Sequence, residues 1–187
     1  MKKVHYLFIL LLFCFTIASC QDKEKQKKYR NLTIKDDWKI NPEKYVENKK
    51  YVELVYIMSN EVPDWLDKYK NLTYFFMDGD YLSLKTIPEN ILKCTGLRTL
   101  NLGESKLSEI PNEIEKLKNI DTLSLYKNNI KELPNALGNL KKLSYINISN
   151  NQLSVLPESF GNLENLENLY LFDNQLTSLP ESFGNLK

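Results

Sequence analysis

The chain has 187 residues and a formal net charge of +1, with 25 basic residues set against 24 acidic ones. That length suits one ordinary domain, and so even a charge excludes the strongly basic surface with which nucleic-acid binders neutralise phosphates. A balanced, mixed-charge surface points to no particular class of partner.

Lys2 and Lys3 precede an apolar run from Val4 to Ile17. The run is too short to cross a bilayer comfortably as a helix and has the shape of a secretory signal peptide. It ends in Ile17-Ala18-Ser19-Cys20, an aliphatic residue, two small ones and a cysteine. This box resembles the lipobox of bacterial lipoproteins. The resemblance implies that residues 1–19 are removed, that Cys20 becomes the first residue of the mature chain, and that its sulfur takes a diacylglycerol while its amine is acylated as well. Several acyl chains, each methylene contributing about 0.8 kcal/mol when buried, would hold the protein stably on a membrane. The expected location is therefore the bacterial cell envelope, with the outer membrane as first choice and surface exposure left open. An uncleaved anchor, or cleavage elsewhere with Cys20 an ordinary thiol, is the alternative. His5 falls in the removed segment, so the mature chain would contain no histidine.

After Cys20 the sequence QDKEKQKKYRN is dense in charge and nearly free of apolar residues. Such a stretch cannot bury enough surface to order itself, so residues 20–31 are expected to form a lipidated tether. Its charges also resemble the sorting signals that follow the cysteine in some outer-membrane lipoproteins. In residues 32–51, Trp38, Ile40, Tyr45 and Val46 appear among charges, and Asn41-Pro42 could open a short helix. These residues are expected to cap the apolar end of the domain that begins at residue 52.

From residue 52 onward the chain repeats itself. Segments starting at Leu97, Ile120, Leu143 and Leu166 read LRTLNLGESKLSEIP, IDTLSLYKNNIKELP, LSYINISNNQLSVLP and LENLYLFDNQLTSLP, a step of 23 residues. Pro63, Pro88, Pro111, Pro134, Pro157 and Pro180 mark the same rhythm, separated by 25 and then by 23 residues. The unit from Leu72 carries two extra residues around Tyr81 to Lys85, and the unit from Val52 is about three short. The skeleton resembles the leucine-rich repeat family closely. The resemblance implies an α/β right-handed solenoid or horseshoe, with a parallel sheet on its concave side and short helical or irregular convex segments. It covers residues 52–187, the first two units irregular. Lys187 stands one residue short of the end of a repeat, with no polar closing segment after it, so a longer protein with further repeats is expected.

Within LxxLxL, the alternation of side chains across a strand sends the leucines inward and the residues between them outward. Asn128, Asn151 and Asn174 occupy the ninth position, where they would bond backbone groups of adjacent turns, with Ser105 and Asp80 as imperfect substitutes. Cys94 takes the place of Leu117, Leu140 and Leu163, so it is expected to be a small buried hydrophobe.

The outward residues are where function would be written. They are Tyr56 and Met58; Tyr74, Phe76 and Asp78; Thr99, Asn101 and Glu104; Thr122, Ser124, Tyr126 and Lys127; Tyr145, Asn147, Ser149 and Asn150; and Asn168, Tyr170, Phe172 and Asp173. Aromatic residues suit exposed strands and shield a sheet, which is their bland explanation. A binding face is the sharper one, because tyrosines give a partner much contact area at low entropic cost. The candidate partner-binding residues are Tyr74, Phe76, Tyr126, Lys127, Tyr145, Asn147, Tyr170, Phe172 and Asp173, the charged ones setting orientation with Glu104.

A mature chain without histidine offers no Ser-His-Asp set, and the sequence has no glycine-rich phosphate loop and no His or Cys pair at metal spacing. Glu158 and Glu181 recur at equivalent repeat positions, which places them on the convex edge and not in a cleft. No catalytic residue, metal or cofactor is therefore expected. The expected function is that of a membrane-anchored protein-interaction module working through its concave face. Glycan or cell-wall binding is the first alternative, since aromatic rings also stack on sugars. The second is substrate recognition for an enzyme domain beyond Lys187.

Overall fold

Each repeat has room for one short strand, because its alternating segment lasts only a few residues before the ninth position turns the chain away. In the computed structural model these strands pair in chain order into one parallel seven-stranded sheet. They are β1 (Arg30–Lys35), β2 (Val52–Met58), β3 (Tyr74–Asp78), β4 (Thr99–Gly103), β5 (Thr122–Ser124), β6 (Tyr145–Asn147) and β7 (Asn168–Tyr170). The structure describes residues 30–35, 52–58, 62, 64, 66–69, 72–78 and 83–186. The signal peptide, Cys20, most of the tether, the cap residues Trp38, Ile40, Tyr45 and Val46, and Asp80 lie outside the described residues, as do the side chains of Tyr56, Met58 and Asp78.

The register carries the repeat into space. Leu100 pairs with Leu123, Leu123 with Ile146 and Ile146 with Leu169, each 23 positions on. Tyr74 pairs with Thr99 at a distance of 25, and Leu54 with Tyr74 at 20. The two extra residues of one unit and the three missing from another are thus absorbed outside the sheet. One boundary differs from the sequence reading. The sheet starts at Arg30, inside the segments read as tether and cap, and Asn31 pairs with Leu54 at the regular offset of 23. The alternation of Leu32 and Ile34 is enough for a strand once a neighbouring edge is present to bond its backbone.

On the convex side the prolines open the return arcs. Pro111, Pro134, Pro157 and Pro180 are each followed by a five-residue 3-10 helix, Asn112–Lys116, Asn135–Asn139, Glu158–Asn162 and Glu181–Asn185. Pro88 precedes a single α-helical turn, α1 (Glu89–Leu92), and a further 3-10 turn spans Leu66–Lys68. Proline suits these places, since its fixed φ is compatible with entry and its carbonyl accepts the first bond, as from Ile114 N–H at 3.1 Å and Phe160 N–H at 2.9 Å. The arcs stack tightly. A Cβ added to Gly161 would lie 2.2 Å from the Ser182 carbonyl oxygen, and one added to Gly138 the same distance from that of Ser159.

Between sheet and arcs the leucines form one continuous core. Leu100, Leu102, Leu123 and Ile146 from the strands, Leu125 and Ile148 just after them, and Ile114, Leu137 and Phe160 from the arcs are fully buried. Each contributes on the order of 1.5 to 3 kcal/mol. Cys94 is buried as expected, its Sγ 3.3 Å from the Asn90 carbonyl oxygen. In the last coil Leu169, Leu171, Leu176, Phe183 and Leu186 are only partly covered.

The ninth-position asparagines tie the coils together at the point where the sheet's own ladder ends. Asn151 Oδ1 accepts Ile130 N–H at 3.0 Å, while its Nδ2 donates to the carbonyls of Leu125, Ile148 and Ser149 at 2.9, 3.1 and 3.2 Å. Asn128 and Asn174 serve Leu107 and Leu153 N–H in the same way. Ser105 is too short to reach across, and its Oγ turns to the Gly103 carbonyl at 3.2 Å. The waiting donor of the preceding coil, Leu84 N–H, bonds the Ser105 backbone carbonyl at 2.9 Å instead.

Candidate functional site

The strand register arranges the outward side chains in rows that cross the sheet. Tyr74, Thr99, Thr122, Tyr145 and Asn168 form the first row, and Phe76, Asn101, Ser124, Asn147 and Tyr170 the second. Gly103, Tyr126, Ser149 and Phe172 follow at the seventh repeat position, then Glu104, Lys127, Asn150 and Asp173 at the eighth. Adjacent strands stand about 4.8 Å apart, so the rows make one surface. At the eighth position the backbone turns left-handed in all four coils, with φ of 56°, 51°, 56° and 54°. Asn150 and Asp173 tolerate this conformation, whereas Glu104 and Lys127 adopt it at a cost of roughly 1 kcal/mol each.

The aromatic candidates fall into two groups and not one strip. Tyr74 and Phe76 are half-buried on β3, and the Tyr126 ring leans back over β4. It lies so close to Gly103 that a Cβ there would sit 2.0 Å from the ring. Farther along, the Tyr145 and Tyr170 rings meet at 5.4 Å with a tilt of 42°. Tyr170 is 40% and Phe172 57% exposed. Between the two groups the rows are polar, with Thr122 and Ser124 half-buried. Burial raises the pKa of the Tyr145 hydroxyl, nearby Tyr170 adds to this, and a hydrogen bond with Asn147 opposes it. The hydroxyl therefore stays protonated and able to donate at neutral pH.

Some residues read as outward do not face solvent. Thr99 and Ser149 are 5% and 2% exposed. Thr99 is short and flanked in its row by Tyr74 and Thr122. The Ser149 hydroxyl folds back onto Asn147 Oδ1 at 2.6 Å. The same oxygen accepts Ser149 N–H at 3.1 Å, so Asn147 supports the turn at the end of β6 in addition to lying on the face. Asn101 does likewise for Gly103 N–H at 3.0 Å.

The charged candidates differ in the same way. Lys127 Nζ is paired with Glu104 Oε1 at 3.0 Å and stands 5.9 Å from the centre of the Tyr126 ring. Asp173 is exposed and forms no side-chain bond among the described residues. On the rim where the strands begin, Arg98 Nε bonds Asp121 Oδ2 at 2.8 Å, which raises the arginine's pKa. With Gly96, Asn119 and Lys142 these two residues line a shallow polar recess. Lys142 Nζ reaches Asn119 Oδ1 at 2.8 Å, so the polar groups there are bonded to one another. Among the described residues no group of three His, Cys, Asp or Glu could hold a metal ion. No described helix is long and apolar enough to cross a membrane. Cys20 lies outside the described residues.

Sequence reasoning missed Gly103 as the seat of the Tyr126 ring and Glu104 as the counter-ion of Lys127. Both could have been found by reading down the repeat columns, where glycine stands out among Tyr126, Ser149 and Phe172, and opposite charges stand 23 residues apart.

The family model for a leucine-rich repeat region matches residues 66–187. The chain belongs to the leucine-rich repeat family. Among solved structures it is similar to a leucine-rich repeat protein of Leptospira interrogans, at 29% identity and a TM-score of 0.52 over 73% of this chain. It is also similar to the plant peptide hormone receptor RGFR1 in complex with RGF2, at 29% identity and a TM-score of 0.62 over 83% of this chain. An internalin from Listeria monocytogenes shares the fold, with 17% identity and a TM-score of 0.55 over 72%. The chain spans 40%, 25% and 38% of those three chains. No curated protein matches it. Leucine-rich repeat domains typically act as protein-interaction modules. In this leucine-rich repeat protein the parallel sheet carries the crossing rows of side chains.

Proposed function

We propose that this leucine-rich repeat protein is a protein-binding module of the bacterial cell envelope, anchored through acylated Cys20 and binding its partner across the concave sheet. The observation that carries the binding half is the set of rings on the sheet, Tyr145 and Tyr170 in contact at 5.4 Å and Tyr74 and Phe76 half-buried on β3. Large rings already held by their neighbours give a partner apolar area with little further loss of rotamer freedom. The similar plant receptor structure is itself a complex with RGF2, which supports a protein or peptide partner. The anchor half rests on the lipobox Ile17-Ala18-Ser19-Cys20 that follows the apolar run.

A photo-crosslinking amino acid at position 170 is expected to form adducts with a protein in intact cells, and the same group at Glu113 on the convex side none. Replacing Tyr126, Tyr145 and Tyr170 together by alanine should weaken binding of the captured partner by about thirtyfold or more, as befits hot-spot side chains. Unchanged affinity would move the site elsewhere, and protease-resistant polysaccharide adducts would favour a glycan ligand. For the anchor, radioactive fatty acid should label the protein and fail to label a Cys20→Ala variant. Label persisting in that variant would refute lipidation at Cys20.

A further inference from the structure

The net charge of +1 hides an uneven distribution. Three consecutive arcs return to their strands through residues 93–98, 116–121 and 139–144, equivalent stretches 23 residues apart. They carry Lys93, Arg98, Lys116, Lys118, Lys141 and Lys142 against Asp121 alone, and the same stretch one coil on, with Glu164 and Glu167, ends the basic run. Few carboxylates answer this charge. Lys93 pairs with Glu89 at 3.0 Å and Arg98 with Asp121, while Glu115 is bonded to Asn139 Nδ2 at 2.7 Å. Lys116 and Lys118 have no side-chain partner among the described residues.

At the centre of this rim is the recess lined by Gly96, Arg98, Asn119, Asp121 and Lys142. It lies inside the solenoid and not at its end, since Arg98 N–H bonds Thr73 O on one side at 2.8 Å and Glu167 N–H bonds Ser144 O on the other at 2.9 Å. Its hydrogen-bonding groups are unequally used. Asp121 Oδ2 accepts from Arg98 Nε, Asp121 Oδ1 from Thr122 Oγ1 at 3.0 Å, and Asn119 Oδ1 from Lys142 Nζ at 2.8 Å. Each side-chain oxygen there is engaged. The donors are in excess: Arg98 Nη1, the remaining ammonium hydrogens of Lys142 and the Gly96 N–H have no partner among the described residues. Arg98, Asp121 and Lys142 together leave one net positive charge, which suits an acceptor with a single negative one, and the flat guanidinium fork suits a planar carboxylate. The recess adjoins the concave sheet. Arg98 and Asp121 directly precede Thr99 and Thr122 of the first row, and Tyr74 is near enough to act on the Arg98 charge.

Resting on the reading of the concave sheet as a protein-binding face, we infer that the rim recess receives an aspartate or glutamate side chain of the partner's bound segment, its carboxylate held by Arg98 and Lys142. The rest of that segment runs onto the sheet past Tyr74 and the first row. Lys116 and Lys118 favour further acidic residues where the segment leaves the sheet, and the basic rim disfavours a cationic segment by direct repulsion.

The test is selection from a random peptide display library on the intact protein, followed by affinity measurement with the enriched synthetic peptide. Enrichment of Asp or Glu is expected. Lys142→Gln, which leaves Arg98 on Asp121, should weaken binding about threefold, and Arg98→Gln with Lys142→Gln about tenfold, less so at high salt. Both side chains are exposed, so the fold tolerates these changes. Replacing the peptide's acidic residue by its amide should cost a similar factor, and the two losses should not add, because they remove one interaction. Enriched peptides without acidic residues, no enrichment, affinity indifferent to the double variant, or losses that simply add would each overturn the inference. A preference for phosphatidylglycerol over phosphatidylcholine vesicles that the double variant loses, with no acidic enrichment, would assign the rim to anionic lipid instead. The triple alanine variant of Tyr126, Tyr145 and Tyr170 separates the two readings. Sensitivity to it without sensitivity to the rim would leave the concave-face reading standing and remove the recess, and the reverse would keep the recess as an acidic-peptide site and remove the concave-face reading.

Discussion

Asn151→Ala is expected to destabilise the protein by about 3 kcal/mol in urea unfolding followed by circular dichroism. The residue is only 8% exposed, and its carboxamide supplies the sole bond to Ile130 N–H, which would become a buried orphan donor costing about 1 to 3 kcal/mol. The carbonyls are better protected. Leu125 O also accepts from Asn128, and Ile148 O from Asn174, so each loses one of two bonds and contributes a smaller share of the loss. Asn151→Asp should not rescue the loss, because it keeps the acceptor for Ile130 N–H but turns a second acceptor toward carbonyl oxygens. A loss below about 1 kcal/mol for the alanine variant would mean that the coil relaxes enough to bond Ile130 elsewhere, as Leu84 N–H does on Ser105 O.

Gly161→Ala is expected to cost about 2 kcal/mol, and Gly138→Ala about as much, since the two glycines hold the same place in consecutive arcs. At Gly161 the added methyl would meet the Ser182 carbonyl oxygen at 2.2 Å, and that oxygen belongs to backbone stacked against the next arc. At Gly138 it would meet the Ser159 carbonyl oxygen just as closely. Restricting the unfolded chain would favour alanine at either position by a few tenths of a kcal/mol, too little to offset the clash. Losses below about 0.5 kcal/mol in thermal unfolding would show that the arcs separate more freely than the close approach implies.

The two variants also mark the limit of what the sequence makes legible. The leucines, the ninth-position asparagines and the opening prolines repeat because every coil imposes the same demand on them, so one alignment locates them all. The 25-residue and 20-residue offsets follow from the spacing alone and reappear in the pairing of Tyr74 with Thr99 and of Leu54 with Tyr74. Whether a repeated glycine is indispensable depends on the coil beside it, which its own sequence window does not contain. The candidate face is harder for the same reason. The seat of Tyr126 on Gly103, the closing of Ser149 onto Asn147 and the pairing of Lys127 with Glu104 are contacts whose partners change from coil to coil. Strand β1 was hidden differently, since the charge density of residues 21–31 masks the short alternation of Leu32 and Ile34.

Because strands stay in register whether 20, 23 or 25 residues separate them, the length of an arc and the geometry of the face are independent variables. Loop insertions on the convex side leave the spacing of the two aromatic groups untouched. Duplicating the unit from Pro134 to Leu156 would instead move Tyr170 and Phe172 one strand farther from Tyr74 and Phe76, about 4.8 Å, with each coil's internal bonding preserved. The reach of this surface can therefore be lengthened or shortened by inheritance only in whole increments, like the divisions of a ruler.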